Sequence, residues 1–538
     1  MPLFARYVSR IKVEGTYWIP QLAQLQQTQQ DGDGHAMLAF AKVLFAILLA
    51  GHALAAPAAS SSASASVSVL RHSSSSRSSS ATSYSAAASS SSTLASGTSS
   101  ALPASETVPY ASDDPNGVLW SEDSTTDPQA IREGLGATVI GPQNVPIALQ
   151  NPDLLAPPST DSGSIQNAKW PLALSHNRLQ TGGWARQQNT DVMPIAKSMA
   201  GVNMRLQAGA IRELHWHKTA EVSGPMFSRS ALFHGDSDGN VLDVAEVANC
   251  DGGLPLQGSV QVTAINSDGQ NYLGTASAGD LWYFPPGIPH SLQATDDDPD
   301  GTEFLLVFDD GAFSEDSTFL LTDWLAHVPK DVLAKNFKAN MSAFDHIPAE
   351  QLYIFPSAPP PPDSQNQVSD PQGQVPSPFI FKLSQVNATQ LDGGSVKVVD
   401  STTFPVSTAI AVAEVTVEPG AMRELHWHPT QDEWAYYLGG TARVTLFGSS
   451  SNARTFNFQA GDVGFVPASF GHYVENTGNT TLHFLEIFNT DRFQDISLNQ
   501  WLALTPPDLV KAHLDLDDAT IALLSKTKYT VVGGTTSS

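Results

Sequence analysis

Two distant stretches of this chain carry almost the same text, and that duplication limits the fold more than any other feature. Gly209–His217 reads GAIRELHWH, and Gly420–His428 reads GAMRELHWH. GDLWYFPPGIPH (Gly279–His290) returns as GDVGFVPASFGH (Gly461–His472), and the apolar, helically spaced tail Asp323–Phe337 returns as Asn499–Leu514. Each copy must therefore form the same structural unit. Between the landmarks, runs such as ARVTLFG, TFNFQAGDVGFVP and TLHFLEIF alternate apolar and polar residues and close on Gly, Asn, Asp or Pro, the pattern of short antiparallel strands. The expected class is all-β: two tandem sandwiches or barrels, each followed by a few short helices.

One stretch breaks the symmetry. After Glu433 the second copy runs WAYYLG into Gly440, a strand-like run of 6 residues, whereas after Glu221 the first copy has 36 residues, Val222–Gln257, before Gly258. The copies then realign, with 21 steps from Gly258 to Gly279 and 21 from Gly440 to Gly461. Three readings stand: a loop insertion that deletes a core strand, a translated intron, or a domain that has lost its site. The intact flanks favour the intron. Cys250, the only cysteine, lies inside this break, so the fold cannot depend on intramolecular disulfides.

The remaining text is address and spacer. Met37 opens MLAFAKVLFAILLAGHALAAPA, where Lys42 precedes a short apolar run and Ala53-Leu54-Ala55 supplies small residues for cleavage, as in a secretory signal peptide. Translation from Met37 would place that signal at the N-terminus. Residues 58–110 are largely Ser and Ala and cannot bury enough surface to order themselves. The Pro-rich stretch Phe355–Phe379 reads as a linker too stiff and polar for a core. These signals divide the chain into an extension with its signal (1–57, signal about 37–55), a disordered segment (58–110), a first domain (160–345), the linker (355–379) and a second domain (380–525). Secretion would expose the sequons at Asn340, Asn387 and Asn479 to N-glycosylation. With 27 basic against 53 acidic residues, nucleic acid and anionic membrane surfaces are poor partners.

His426, His428 and Glu433 form H-x-H-x4-E, and His472 follows beyond the next strand; His215, His217, Glu221 and His290 repeat the order with one residue fewer before the glutamate. Strand alternation sends the two histidines of each H-x-H to one face. A lone H-x-H is usually a surface or core pair, but here 6 of 15 histidines fall in two parallel sets, each with a glutamate. Three neutral nitrogens and one carboxylate leave two octahedral positions open, which suits manganese or iron; H-E-x-x-H, the zinc hydrolase pattern, is absent.

The element G-x5-H-x-H-x(3,4)-E, joined to G-x5-P-x-G-x2-H, resembles the paired motifs of the cupins, with Ser469 where the second copy's glycine usually stands. The repetition resembles a bicupin. RELHWH twice, GDLWYFPPGIPHSLQA, FLLVFDDGAFSEDSTFLLTDWLAH and GHYVENTGNTTLHFLEIF are similar to the microbial and fungal oxalate decarboxylases, over residues 165 to 530 apart from the break. The resemblance implies two jelly-roll barrels and up to two manganese ions, held by His215, His217, Glu221 and His290 and by His426, His428, Glu433 and His472. It implies conversion of oxalate to formate and carbon dioxide with dioxygen as co-catalyst. Arg212 and Arg423 would bind a substrate carboxylate, Glu315 in the lid Ser314-Glu315-Asp316-Ser317 would deliver a proton, and Glu486 would stand near the second metal. On composition alone Glu315 belongs to an acidic surface loop with Asp309, Asp310 and Asp316, and the two arginines could pair with Glu213 and Glu424. Rival functions are an oxalate oxidase releasing hydrogen peroxide and a non-catalytic storage-type bicupin. The resemblance further implies a homo-oligomer, trimers pairing into hexamers, while the signal at 37–55 implies a secreted protein at the cell exterior or wall, with no membrane partner after signal cleavage.

Overall fold

The computed structural model describes residues 127–225 and 258–534. The signal, the Ser/Ala-rich segment and residues 226–257 of the break lie outside the described residues. Within them the structure is mostly β, in two barrels each made of two facing antiparallel sheets. In the first barrel one sheet orders 271–277, 259–265, 290–294, 211–216 and 319–320, and the other orders 380–381, 281–284, 221–225, 302–308, 200–206, 183–188 and 178–180. The second barrel repeats this with 452–459, 441–448, 472–476, 422–427 and 496–497 facing 389–391, 394–399, 411–417, 482–488, 433–439, 462–466 and 169–171. Each barrel interior is apolar, with Val202, Phe304 and Leu306 in the first and Val415, Phe458 and Phe484 in the second.

The break does not remove the strand behind Glu221, contrary to the expectation from sequence. Glu221–Pro225 is a strand, paired on one side with Leu281–Phe284 and on the other with Thr302–Phe308, with Glu221 opposite both Phe284 and Phe308. Glu433 stands likewise opposite Val466 and Phe488. Main-chain bonds on both edges fix the pleat, and with Val222 buried on the other face Glu221 must point inward.

The Pro-rich stretch is not a free linker either. Phe355 pairs with Ile211, Asp363 accepts from Gln261 Nε2 at 2.8 Å and Thr275 Oγ1 at 2.7 Å, Asp370 accepts from the Asn271 N–H at 2.7 Å, and Phe379 is buried in the first core. Prolines donate nothing to a ladder, so this strap is tied down by its carbonyls and acidic side chains instead. The barrels then exchange edges. Ile380–Phe381, which follows the strap, pairs with Leu281–Trp282 of the first barrel, while Lys169–Pro171, which precedes the first barrel, pairs with Asp462–Gly464 of the second. The aspartate of each G-D turn clasps the visiting segment: Asp280 holds Lys382 at 2.9 Å and Asp462 holds the buried Lys169 at 3.0 Å.

Between the barrels Val222, Tyr283, Leu305 and Val307 pack against Val412, Trp434, Phe465 and Ile487. Trp434 is fully buried and its indole donates to Gln188 Oε1 across the interface at 2.7 Å. A Cβ at Gly201 would lie 2.2 Å from the Trp434 ring, so only glycine admits that close approach. Gly201→Ala should therefore destabilise the protein by about 1–3 kcal/mol, the usual cost of overpacking. Thermal unfolding would show a lowered midpoint, partly restored by Trp434→Phe.

Candidate metal and substrate sites

Each H-x-H begins at the end of a strand, Ile211–Trp216 or Met422–Trp427, with the third ligand on the neighbouring strand: His290 lies opposite His215, and His472 opposite His426. Glu221 and Glu433 arrive from the facing sheets. In each set the four ligand atoms lie within 4.8 Å of one another, and all eight residues are buried. His217 and His290 approach Glu221 Oε2 at 3.0 and 3.7 Å; His428 and His472 approach Glu433 Oε2 at 3.0 and 3.2 Å.

The ring tautomers follow from the outer nitrogens. Nδ1 of His215, His217 and His290 lies 2.6, 2.7 and 2.8 Å from the carbonyls of Glu213, Thr219 and Ile288. Nδ1 of His426, His428 and His472 meets the carbonyls of Glu424, Gln494 and Phe470 at 2.7, 2.9 and 3.0 Å. A carbonyl can only accept, so every Nδ1 donates and every neutral Nε2 turns a lone pair to the centre. Burial, followed by the adjacent arginine, pushes His215 and His426 well below the usual imidazole pKa. Burial opposes the charge of Glu221 and Glu433, yet hydrogen bonds and charge from their histidines hold both below the ordinary carboxylate range. Nε2 of His290 and of His426 is buried with no hydrogen-bond partner, which a divalent cation would resolve. The residues present therefore fit a metal in both barrels.

A feature that regular alternation conceals brings the arginines in. Arg212 and His215 are three apart and would face opposite ways on a flat strand. The partner strand spans only His290 to Leu292 over that interval, so one residue bulges, and Arg212 and His215 are both buried; Arg423 and His426 repeat the irregularity. Glu213 and Glu424 do not pair with the arginines. Glu213 accepts from the N–H groups of Thr322 and Tyr353 at 2.7 and 2.8 Å, and Glu424 from Ser497 Oγ at 2.6 Å and the Thr530 N–H at 2.9 Å.

From there the two sites diverge. In the first, Arg212, Glu315 and the ligands His215, His217 and Glu221 line one cavity whose other walls include Leu306, Phe308 and Phe313. Glu315 does not lie in an exposed acidic loop: it is 8% exposed, on the single turn Glu315–Ser317, and its Oε2 is buried without a partner. Burial raises its pKa to about 7 against the pull of Arg212 and Arg178. In the second, Arg423 is fully buried and all three guanidinium nitrogens are taken: Nε by Glu486 at 3.2 Å, Nη2 by Asp495 at 2.5 Å and Nη1 by the Thr530 carbonyl at 3.4 Å. The expectation of a substrate-binding Arg423 is thus not met by this arrangement. Glu486 stands where the first copy has Leu306, and burial raises its pKa.

Sequence reasoning missed several residues. Trp282 donates to Glu221 Oε1 at 3.0 Å, leaving Oε2 for the centre, whereas its counterpart in the second copy is Gly464. That difference was visible in the aligned repeats. Arg178, Tyr353 and Asp495 carry no motif and are brought in only by folding.

Two jelly-roll barrels in one chain, each enclosing three histidines and a glutamate, define a bicupin metalloprotein. The family model described as Cupin matches residues 253–343 and 382–522. The chain is 48% identical over 405 residues to an oxalate decarboxylase of Bacillus subtilis, covering 75% of this chain and 97% of the relative. It is 39% identical over 412 residues to a probable oxalate decarboxylase of Arthroderma benhamiae, covering 75% and 93%. The structure of the Bacillus subtilis oxalate decarboxylase at pH 4.6 superposes with a TM-score of 0.68 at 48% identity over 76% of this chain and 98% of that one. Another structure of that enzyme, from work assigning the fine structure of its Mn(II) centres, superposes at 0.69. The chain belongs to the bicupin oxalate decarboxylase family.

His426→Ala should empty the second site alone. Elemental analysis after growth with manganese should find about half the wild-type metal, and thermal stability should fall, because a metal held only by the folded site favours folding.

Proposed function

We propose that this protein converts oxalate to formate and carbon dioxide at its first site, with manganese in both barrels and dioxygen as co-catalyst. One observation carries the reading: a buried carboxyl with an unpartnered Oε2 and a buried guanidinium share a cavity with the ligands His215, His217 and Glu221. The reaction consumes one proton and breaks the bond between two fully oxidised carbons. Manganese, when bound, supplies the partial electron withdrawal that makes this bond cleavable. Arg212 has two donor edges suited to a carboxylate and orients the substrate. Glu315, raised to about 7, is largely protonated in mild acid and gives its proton to the carbon left when carbon dioxide departs. Phe308 and Phe313 keep water from that carbon. Variants of the solved Bacillus subtilis relative alter a Ser-Glu-Asn-Ser run, and Ser314-Glu315-Asp316-Ser317 differs from it by one residue.

A buried acid facing the cavity supports decarboxylation over oxidation to peroxide, and two complete ligand sets speak against a storage role. The second site, with Arg423 neutralised by Glu486 and Asp495, suits a structural metal. Homo-oligomerisation, as trimers or hexamers, is supported by exposed apolar side chains at matching places of both copies: Leu214, Phe319 and Trp324, and Leu425, Ile496 and Trp501. Secretion through the signal at 37–55 is supported by the exposure of Asn340, Asn387 and Asn479.

Glu315→Gln keeps the shape and loses the proton, so formate production on oxalate should fall by about 10²–10⁴-fold while metal content is kept. Formate and hydrogen peroxide measured side by side would check it, and formate at the wild-type rate would refute the assignment. The wild-type rate should decline as pH rises through about 7, because the acid form of Glu315 prevails below that value and is lost above it.

A further inference from the structure

Glu315 rests on one short turn, which has little rigidity of its own. Two ties flank it. Its main-chain N–H donates to Gln187 Oε1 at 3.1 Å, and the neighbouring Asp316 Oδ1 lies 3.2 Å from Arg178 Nη1. Asp316 is 85% exposed and water competes for it, so its hold depends on how firmly Arg178 is placed. Arg178 is firmly placed: its guanidinium carbon lies 3.7 Å from the ring centre of Tyr353, a fully buried residue. The same ring carries the Arg212 guanidinium at 4.1 Å, and the Tyr353 carbonyl accepts from Arg212 Nη1 at 3.3 Å. Tyr353 in turn is anchored by its N–H on Glu213. One aromatic seat therefore holds both the arginine that faces the cavity and the arginine that reaches the turn. The second barrel departs from this plan, since Asp495 there grips Arg423 itself.

We propose that Arg178 is a positioning residue for the reaction: it grips Asp316 and so keeps Glu315 turned inward over Arg212 and the ligand set. The proposal rests on the reading of Glu315 as the proton donor. Arg178 lies outside the cavity lining and holds the turn through Asp316, while its charge also acts on the Glu315 carboxyl from a distance. An exposed ion pair shifts an equilibrium by only about 1.5- to 5-fold. That is too little to decide folding and enough to decide how often a single turn is closed.

The test compares Asp316→Asn, Arg178→Ala and the double variant in the manganese-loaded protein. Three quantities are read: the kcat for formate, the ratio of formate to peroxide, and amide hydrogen exchange in the peptide spanning residues 314–320. Each single variant should lower kcat by about 2–5-fold, lower the ratio and speed exchange by a similar factor, and the double variant should be no worse than either single one. Added salt should slow the wild type toward the Asp316→Asn rate and leave that variant unmoved. Arg178→Lys, which keeps the charge, should recover part of the rate. Asp316→Asn changes only a solvent-facing side chain, so the test survives if Arg178→Ala fails to fold. Wild-type exchange and kcat in Asp316→Asn, or effects that multiply in the double variant, would overturn the proposal. If exchange quickens while formate output stays at the wild-type rate, the latch stands and the proton-donor role of Glu315 fails. If Glu315→Gln loses formate but the latch variants behave as wild type, the acid stands and the latch fails.

Discussion

Burying three imidazoles and a carboxylate in the middle of an apolar barrel is costly unless every polar atom finds a partner, and the rest of each barrel is arranged around meeting that demand. Backbone carbonyls take all six Nδ1 protons, which turns the Nε2 lone pairs inward and leaves a set of donors that only a cation can satisfy together. Two of those carbonyls, of Glu213 and Glu424, lie on the strands that carry the H-x-H histidines, and the other four lie in the turns and loops beside the ligands. Sheet register and the adjoining turns together therefore fix the tautomers and ring orientations.

The same economy governs how the barrels are joined. Each leaves one edge open, beside its G-D turn, and each edge is closed by a short strand from the segment that precedes the other barrel. A buried aspartate marks both junctions, paired with Lys382 in one case and Lys169 in the other. Together with the Trp434 contact across the interface, this makes the duplication a single interlocked body rather than two beads on a linker.

Within that near-symmetric frame a few substitutions give the sites different chemistry. Leu306 against Glu486 decides whether the arginine of the site meets an apolar wall or a carboxylate. Trp282 against Gly464 decides whether the ligand glutamate has its second oxygen fixed. Over the first site the buried acid Glu315 keeps an unpartnered oxygen, whereas Asp495 over the second is paired with Arg423, which completes the contrast. In a low-dielectric interior the two carboxylates of Glu486 and Asp495 convert a receptive guanidinium into a satisfied one.

The sequence alone determined the duplication, the strand-rich class and all eight ligands, because strand alternation and a repeated spacing are local properties that survive in one dimension. It also pointed to Arg212 and Glu315, through register and resemblance. It misjudged Val222–Pro225, whose strand character comes from main-chain bonds to two distant strands, and the Pro-rich strap, whose anchors are scattered over residues 211–293. Only the tertiary structure decided that Arg212 faces the cavity while Arg423 is neutralised, since the bulge that turns them inward is a mismatch between two strands and the carboxylates that distinguish them come from remote segments. It also decided the burial of Glu315, for a side chain's exposure depends on what packs over it rather than on its acidic neighbours in the chain.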